Sequence, residues 1–358
     1  MSKLESPGIE FVDTTDIKPL RRYNVVELFA GAGGLALGLE QAGFKSIALN
    51  EIHSDSCKTL KKNRPEWNVI EADVIDVAKQ GFKKALNIKE EVDLLSGGIP
   101  CQSFSYAGKG LGFADIRGTM FHYYAKALQQ LKPKVFLLEN VRGLTSHDNG
   151  RTFMTMMNIF HDIGYRIVWK VLNSNDYGVA QKRERVIVIG IREDIDKHVT
   201  HKYPLPQQYR PVLQDVLKNV PDSPGVTYST ARAKVLDLVP PGGYWKDLPK
   251  SIAKQYMGKS YYNSGGKTGV ARRLDWHKPS LTLMCSPIQK QTERCHPSET
   301  RPLTTREYAR IQGFPDTWEF EGGVGSIYSQ IGNAVPVPLA KEVGLSLINT
   351  FNEIEQSI

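Results

Sequence analysis

A cysteine and a glutamate follow two short apolar runs, and together they can carry out covalent chemistry. Cys101 comes shortly after the run 92–98, and Glu139 comes directly after the run 135–138. Short apolar runs bounded by glycine or proline indicate buried strands. In an open parallel sheet, the carboxyl ends of the strands line the crevice where ligands bind. A thiol nucleophile beside an acid–base group is suited to activating an electron-poor ring.

A glycine-rich turn near the N-terminus predicts a nucleoside cofactor. The turn, residues 29–34, follows a predicted strand and opens a predicted helix. Glycines there let the backbone approach a ligand and leave N–H groups free at the helix start. Glu51, at the end of the second strand, suits ribose hydroxyls, and Asp73, after the third, suits an exocyclic amine. A nucleoside with a methionine-like tail fits better than a pyrophosphate, because no P-loop lysine follows the turn.

The elements that position these residues alternate between strands and helices up to about residue 200. This alternation predicts an α/β fold with a mostly parallel sheet covered on both faces. From about Tyr203, prolines and glycine pairs interrupt the pattern. We therefore predict a catalytic and cofactor-binding domain over 1–200 plus 330–358, and a smaller irregular domain over 201–329.

The positive charge of the chain lies mostly in the irregular part. The net charge is +8, and the segment 191–300 has 17 Lys and Arg against 10 Asp and Glu, a net charge of +7. A lysine-rich face in contact with solvent is the simplest explanation of such a segment. Beside a catalytic domain, however, a localised basic segment favours a polyanionic partner.

Composition argues against several classes of protein. The 358 residues contain no apolar run near the roughly 20 residues that span a bilayer. The start of the chain lacks an apolar signal region, so we expect a cytoplasmic protein. Four scattered cysteines without a CxxC pair predict neither a disulfide framework nor a metal site. Two of them, Cys57 and Cys285, are expected to be packing residues.

Six segments, in order, resemble the motifs of the DNA (cytosine-5)-methyltransferases. They cover the chain almost from end to end and are 29–34, 100–105 (Pro-Cys-Gln-Ser-Phe-Ser), 139–141 (Glu-Asn-Val), 181–185 (Gln-Lys-Arg-Glu-Arg), 301–307 and 332–335. In that family, the variable region between the eighth and ninth motifs recognises the DNA target. Here that gap is the basic segment. The resemblance implies a Rossmann-like fold, S-adenosylmethionine as cofactor and a target-recognition domain.

The resemblance also implies catalytic roles. Cys101 would attack C6 of cytosine, and Glu139 would hold N3 and favour its protonation. Arg185 would contact the flipped base, and Arg183 a nearby phosphate. Because the target atom is inaccessible inside a duplex, the base must be flipped out.

The cofactor and DNA contacts follow in the same way. The residues implied to line the cofactor site are Phe29, Gly31, Gly33, Glu51, Asp73, Val74, Pro100, Met120 and Asn333. Ile52 departs from the pattern, since bacterial members often carry an aromatic residue beside the adenine. Gln102 and Ser105 lie in a loop that would close over DNA. Within the basic segment, Arg272 and Arg273 adjoin a glycine-rich stretch and are predicted to contact DNA.

The expected partner is double-stranded DNA, bound by a monomer that is functionally linked to a cognate restriction endonuclease and has no membrane association. A tRNA cytosine-5 methyltransferase is the nearest alternative, but the Cys-Phe-Thr element of that subgroup is not found here. A non-catalytic DNA-binding regulator would be expected to lose Cys101, Glu139 or the glycine turn. A dehydrogenase would need dinucleotide glycine spacing after the first strand.

Overall fold

The computed structural model of the chain describes residues 6, 8–100, 119–263 and 267–357. Its strands are β1 Phe11–Val12, β2 Asn24–Leu28, β3 Lys45–Glu51, β4 Val69–Glu71, β5 Leu94–Gly98, β6 Val135–Val141, β7 Tyr165–Asn173, β8 Gln181–Lys182, β9 Glu184–Arg192, β10 Tyr203–Pro204 and β11 Ser280–Leu281. Its α-helices are α1 Gly34–Ala42, α2 Ser54–Asn63, α3 Val74–Gln80, α4 Phe82–Ala85, α5 Met120–Leu131, α6 Arg151–Asp162, α7 Leu213–Val216, α8 Thr230–Leu236, α9 Lys250–Met257, α10 Thr305–Ile311, α11 Val324–Asn333 and α12 Val337–Gln356. Short 3-10 helices cover Arg142–Gly150, Ser174–Tyr177, Trp245–Asp247 and Gly258–Tyr261.

Seven of the strands form one central sheet in the order β4-β3-β2-β5-β6-β9-β7. Neighbouring strands from β4 to β6 pair in parallel, and β9 runs antiparallel between β6 and β7. The predicted α/β fold with a mostly parallel sheet is confirmed. Strand order reverses between β2 and β5, so the crevice expected for a ligand lies outside the carboxyl ends of these two strands.

Helices cover both faces of this sheet. On one face, α3 to α6 bury a cluster that includes Tyr124, Phe136 and Phe160. On the other, α1 and α12 bury a second cluster. These two helices approach closely, because a Cβ at Gly38 would lie 2.3 Å from the Ala340 Cβ. The C-terminal helix is therefore packed on the first helix.

Two further hydrophobic clusters organise the rest of the chain. The third joins α1 and α2 to α10 and α11 through residues such as Leu37, Leu60, Tyr308 and Ile331. The fourth contains Leu236, Val239, Leu248, Ala253, Ala271 and Cys295. Within the irregular region, the buried residues of this separate core lie between 236 and 295. The domain boundaries themselves stay a prediction. Within the described residues, no helix is both long and apolar enough to cross a membrane.

Candidate active site at the carboxyl edge of the sheet

The turn after β2 has an unusual backbone. Phe29 has φ 58°, Gly31 has φ 54° and Gly33 has φ 87°. A positive φ suits glycine but is a true outlier for a bulky aromatic residue. Such strained positions persist where the surrounding structure imposes them, and they cluster at functional sites. The turn is therefore the first structural sign of a binding site at this edge.

Glu51 fixes this turn to the end of β3. Its Oε2 accepts from the Gly31 N–H at 2.8 Å, and its Oε1 accepts from the N–H groups of Ile52 and His53, each at 2.9 Å. The residue is only 6% exposed. A carboxylate has about four acceptor positions, so one remains for a ligand hydroxyl.

The space beside the turn is open at Gly31. A Cβ built at Gly31 would meet no atom within 4 Å, so the backbone there faces open space. Ile52 beside it is 55% exposed, an uncommon setting for a large aliphatic side chain at a site edge. Asp73 caps α3 by accepting from the Ile75 N–H at 2.8 Å through Oδ1.

An apolar wall backs this space. Val74 is buried in the first cluster, and Phe29 and Met120 pack against it while half-buried. Gly33 has a different role, since a Cβ there would lie 2.7 Å from Leu60 Cδ2 and 3.1 Å from the Trp318 ring. A side chain at position 33 would therefore disturb the packing of Leu60 and Trp318.

An ion pair lies at the adjoining strand ends. Arg185 Nε and Glu139 Oε1 are 2.7 Å apart, with side chains only 11% and 12% exposed. Register explains the meeting: Val141 of β6 pairs with Arg185 of antiparallel β9, which starts at the edge where β6 ends. Removing one partner of such a buried pair costs about 3–5 kcal/mol, because the other charge is left uncompensated.

Two further residues shape the surroundings of Glu139. Gly98 pairs with Glu139 across β5 and β6, and a Cβ at Gly98 would lie 2.8 Å from Glu139 Oε2. Asn140 Nδ2 donates to the Ile99 carbonyl at 2.8 Å. The chain that leaves β5 toward position 101 is therefore tied beside the ion pair. The sequence signals for both are weak: a glycine pair at a strand end and an amide next to Glu139.

The family model of the C-5 cytosine-specific DNA methylases matches residues 23–349. The chain belongs to the C-5 cytosine-specific DNA methylases. It is a DNA (cytosine-5)-methyltransferase, and both the family and the fold imply the use of S-adenosylmethionine.

Relatives and solved structures agree with this membership. The methyltransferase is 57% identical over 346 residues to the Type II methyltransferase M.Sau96I of Staphylococcus aureus, covering 96% of this chain and 80% of the relative. It is 54% identical over 342 residues to the Type II methyltransferase M.Eco47II of Escherichia coli, covering 93% and 81%. A crystal structure described as a prophage-encoded DNA modification methyltransferase of E. coli superimposes with a TM-score of 0.66 at 25% identity, covering 92% of this chain and 99% of that one.

Arg183 lies inside the protein and not at a surface where it could contact a DNA phosphate. Arg183 is 2% exposed, and its Nη1 and Nη2 donate to the carbonyls of Leu283 and Gly332 at 3.1 and 2.9 Å. Burial lowers its pKa to about 9. A guanidinium buried on two backbone carbonyls is not positioned to meet DNA phosphate, which corrects the role implied for Arg183.

Arg273 also departs from its predicted role. It is 4% exposed, inside the region of the fourth cluster. Its five N–H groups donate to the carbonyls of Leu236, Val239, His296 and Glu299 and to the Thr300 hydroxyl. With every donor used internally, Arg273 has none to offer DNA, so the predicted DNA contact is not supported.

Arg272 has a different environment. It is half-buried, its guanidinium lies 4.7 Å from the Tyr244 ring centroid, and it donates to the carbonyls of Thr268 and Gly242. Arg272 therefore remains a candidate for DNA contact.

The remaining predicted positions fall in two groups. Pro100 is exposed at the end of β5, and Asn333 is exposed at the end of α11, where its Oδ1 accepts from the Cys285 thiol at 3.2 Å. Cys57 is buried, whereas Cys285 is exposed, so the expectation that both are packing residues is wrong for Cys285. Residues Cys101, Gln102 and Ser105 lie outside the described residues.

Proposed function

We propose that the enzyme transfers a methyl group from S-adenosylmethionine to C5 of a flipped cytosine in a specific duplex sequence, through a covalent adduct with Cys101. The observation that carries this proposal is the buried Glu139–Arg185 pair, next to which Asn140 holds the backbone of Ile99, just before the segment that contains Cys101. We further propose that the methylation protects DNA from a cognate restriction endonuclease.

The cofactor would be held by the residues around the glycine turn. Glu51 would accept from the ribose hydroxyls and Asp73 from the adenine amine, while Ile52 and Phe29 would cover the base. Met120, Pro100 and Asn333 would face the methionine part. When bound, S-adenosylmethionine supplies an electrophilic methyl group on a sulfonium. Both carboxylates lie on the β3–β4 side of the turn, which supports this arrangement.

The protein residues make cytosine C5 nucleophilic. The Cys101 thiolate forms a bond to C6, and the electron pair of the C5–C6 double bond moves to C5, giving enamine character. Glu139 holds N3 and favours its protonation, which draws electrons from C6. Arg185 fixes the Glu139 carboxylate through its Nε and contacts the base. After C5 takes the methyl group, loss of the C5 proton restores the double bond and expels Cys101.

The basic segment would supply the DNA contacts. Flipping a base costs a few kcal/mol, and phosphate contacts by lysine and arginine can offset that cost. Rings and cations alternate here: Lys246 and Lys267 lie within 6 Å of the Trp245 ring, next to Arg272 on Tyr244. We propose that the enzyme acts as a cytoplasmic monomer, with Gln102 and Ser105 contacting DNA from the catalytic loop.

Sequencing after bisulfite treatment of DNA from cells that express the protein tests this function. We expect 5-methylcytosine at one sequence context in duplex DNA, and resistance of that DNA to an endonuclease that cuts there. Methylation of tRNA without methylation of DNA would favour the tRNA alternative, and no 5-methylcytosine in either would overturn the proposal.

A further inference from the structure

Gln181 and Arg183, just before Arg185, hydrogen-bond to the backbone of a loop at residues 283–286. Gln181 Oε1 accepts from the Leu283 N–H at 2.9 Å, and Arg183 Nη1 donates to the Leu283 carbonyl at 3.1 Å. The Leu283 side chain is itself fully buried in the third cluster. Just before it, β11 pairs with β8 in parallel, so the register of this junction is set by backbone bonds as well.

The same two side chains hold the end of α11. Arg183 Nη2 donates to the Gly332 carbonyl at 2.9 Å. Gln181 Nε2 donates to Gln312 Oε1 at 2.8 Å, and Gln312 Nε2 donates to the Ile331 carbonyl at 2.6 Å. Four separate parts of the chain, the 181–183 segment before β9, the 283–286 loop, Gln312 after α10 and the end of α11, therefore meet at one buried polar cluster.

The 283–286 loop leaves this buried polar cluster and reaches solvent beside the active-site edge. After buried Leu283, Met284 is 38% exposed and Cys285 is exposed. The approach is close, because a Cβ at Gly332 would lie 2.5 Å from the Met284 carbonyl oxygen. Any side chain at 332 would push the loop away from α11.

The ion pair and the loop share one electrostatic environment. Burial is the main cause that lowers the pKa of Arg183, and the Arg185 charge lowers it further, while Glu139 and Cys285 act in the opposite direction. Arg183 therefore interacts electrostatically with both the Glu139–Arg185 pair and the 283–286 loop. A shift of the loop would be transmitted to Arg185 through a connection of only two residues.

We propose that Gln181 and Arg183 are positioning residues that clamp Leu283 and thereby hold the 283–286 loop in register with the Glu139–Arg185 pair. The inference rests on the proposed function, because it assigns the clamp to the same cytosine-binding site. It replaces a phosphate contact by Arg183 with a mechanical role. Met284 and Cys285 are then the exposed residues of the loop whose position depends on the clamp.

The test compares Arg183→Ala and Arg183→Lys with the unmodified enzyme, with kinetics measured well below the melting temperature of each. We expect kcat on duplex DNA to fall about 10- to 100-fold in the alanine variant, as for misplacement by about 1 Å. Lysine should recover only part of the loss, because its ammonium keeps the charge and can donate to a carbonyl but lacks the planar fork of the guanidinium. The affinity for S-adenosylmethionine should stay within about twofold. The log–log salt slope of DNA binding should not change, whereas loss of a phosphate contact would reduce it by about one.

Two further variants separate positioning from general stability. Arg273→Ala removes an equally buried guanidinium that bonds only within 236–300, and it should lower the melting temperature without lowering kcat of the folded protein. Gly332→Ala should lower kcat as Arg183→Ala does, although no charge is removed, and it covers the case in which Arg183→Ala does not fold. Full kcat in both the Arg183 and Gly332 variants, a salt slope reduced by one, or the same kcat loss in Arg273→Ala would overturn the clamp. An unmodified enzyme that does not methylate duplex DNA would overturn the proposed function as well.

Discussion

The carboxyl edge of the sheet and the basic segment 191–300 use arginine in opposite ways. At the edge, Arg185 ends on the carboxylate of Glu139, inside the crevice. In the basic segment, Arg273 directs all its donors to the backbone and hydroxyl groups of its own fold. The position of Arg185 is set by the register of the central sheet. Arg273 is needed to hold together a region with few strands.

This difference shows that positive charge in a sequence does not by itself identify a DNA contact. A small irregular region has many backbone carbonyls without ladder partners, and arginine has five donors to satisfy them. Only side chains that still have free N–H donors can hydrogen-bond to phosphate. The net charge of +7 over 191–300 therefore overstates the number of side chains available to DNA.

Glu139→Gln should give the largest effect on the catalytic side of the comparison. The amide keeps the shape but loses the charge that pairs with Arg185 and the ability to hold a protonated N3. We expect kcat to fall by about 10²–10⁴-fold, the usual contribution of a positioned acid–base group. Steady-state methyl transfer to duplex DNA measures it. Glu184→Gln is the matched control, since Glu184 is exposed and pairs with Arg142; an equal loss there would remove the special role of Glu139.

The cofactor side is tested by Glu51→Ala and Asp73→Ala. Each should weaken S-adenosylmethionine binding by about 1.5–3 kcal/mol, roughly ten- to hundredfold in Kd, because a hydrogen bond to a charged group is lost. Calorimetry gives the affinity and circular dichroism the fold. Asp76→Ala, on the exposed face of α3 and paired with Lys79, should bind normally. Unchanged affinity in both test variants would refute the placement.

Arg272→Ala and Arg273→Ala sharpen the comparison within the basic segment. Arg272→Ala should reduce DNA affinity, either uniformly with a salt slope lower by about one, or by about 1–3 kcal/mol at the preferred sequence only. Arg273→Ala should instead lower the melting temperature and leave the salt slope unchanged. Titrations of duplex DNA at several salt concentrations, together with thermal unfolding, distinguish them. A reversed pattern would mean that internal hydrogen bonding does not withhold Arg273 from DNA.

The smallest effect concerns a carboxyl group under the glycine turn. Glu27 is 2% exposed, and burial raises its pKa to about 8, with a weaker contribution from Glu51 in the same direction. A folded-state pKa above the unfolded value means that the folded protein binds the extra proton, so this part of the stability is lost as pH rises from about 4.5 to about 8. Glu27→Gln should flatten that decline in denaturant unfolding experiments. An unaltered pH profile would show that Glu27 is not the group responsible.

Much of the catalytic edge could be predicted because it depends on local pattern. Apolar runs that end in Cys101, Glu139 and Glu51 mark strand ends, and parallel strands bring such ends to one edge. The glycine turn also indicates its backbone conformation, since Gly31 has the positive φ that glycine readily adopts. Motif order then supplied the chemistry.

The roles of Arg183 and Arg273 could not be predicted in this way. Their partners are mostly backbone carbonyls, which every residue carries, so no sequence signal identifies them. For Arg183 these acceptors are 100 and 149 residues away along the chain. The third cluster, in which α10 and α11 pack with α1 and α2, likewise joins residues that are far apart in the sequence.

Trapping of a covalent adduct tests the central claim most directly. Duplex DNA carrying 5-fluorocytosine in the target sequence cannot lose its C5 substituent as a proton, so an enzyme that attacks C6 stays attached. With S-adenosylmethionine present, we predict a stable adduct by denaturing electrophoresis and mass spectrometry, with the crosslink on the peptide that contains Cys101 and no adduct in Cys101→Ser. An adduct of undiminished yield in the serine variant, or none with the unmodified enzyme on DNA that it methylates, would contradict the account.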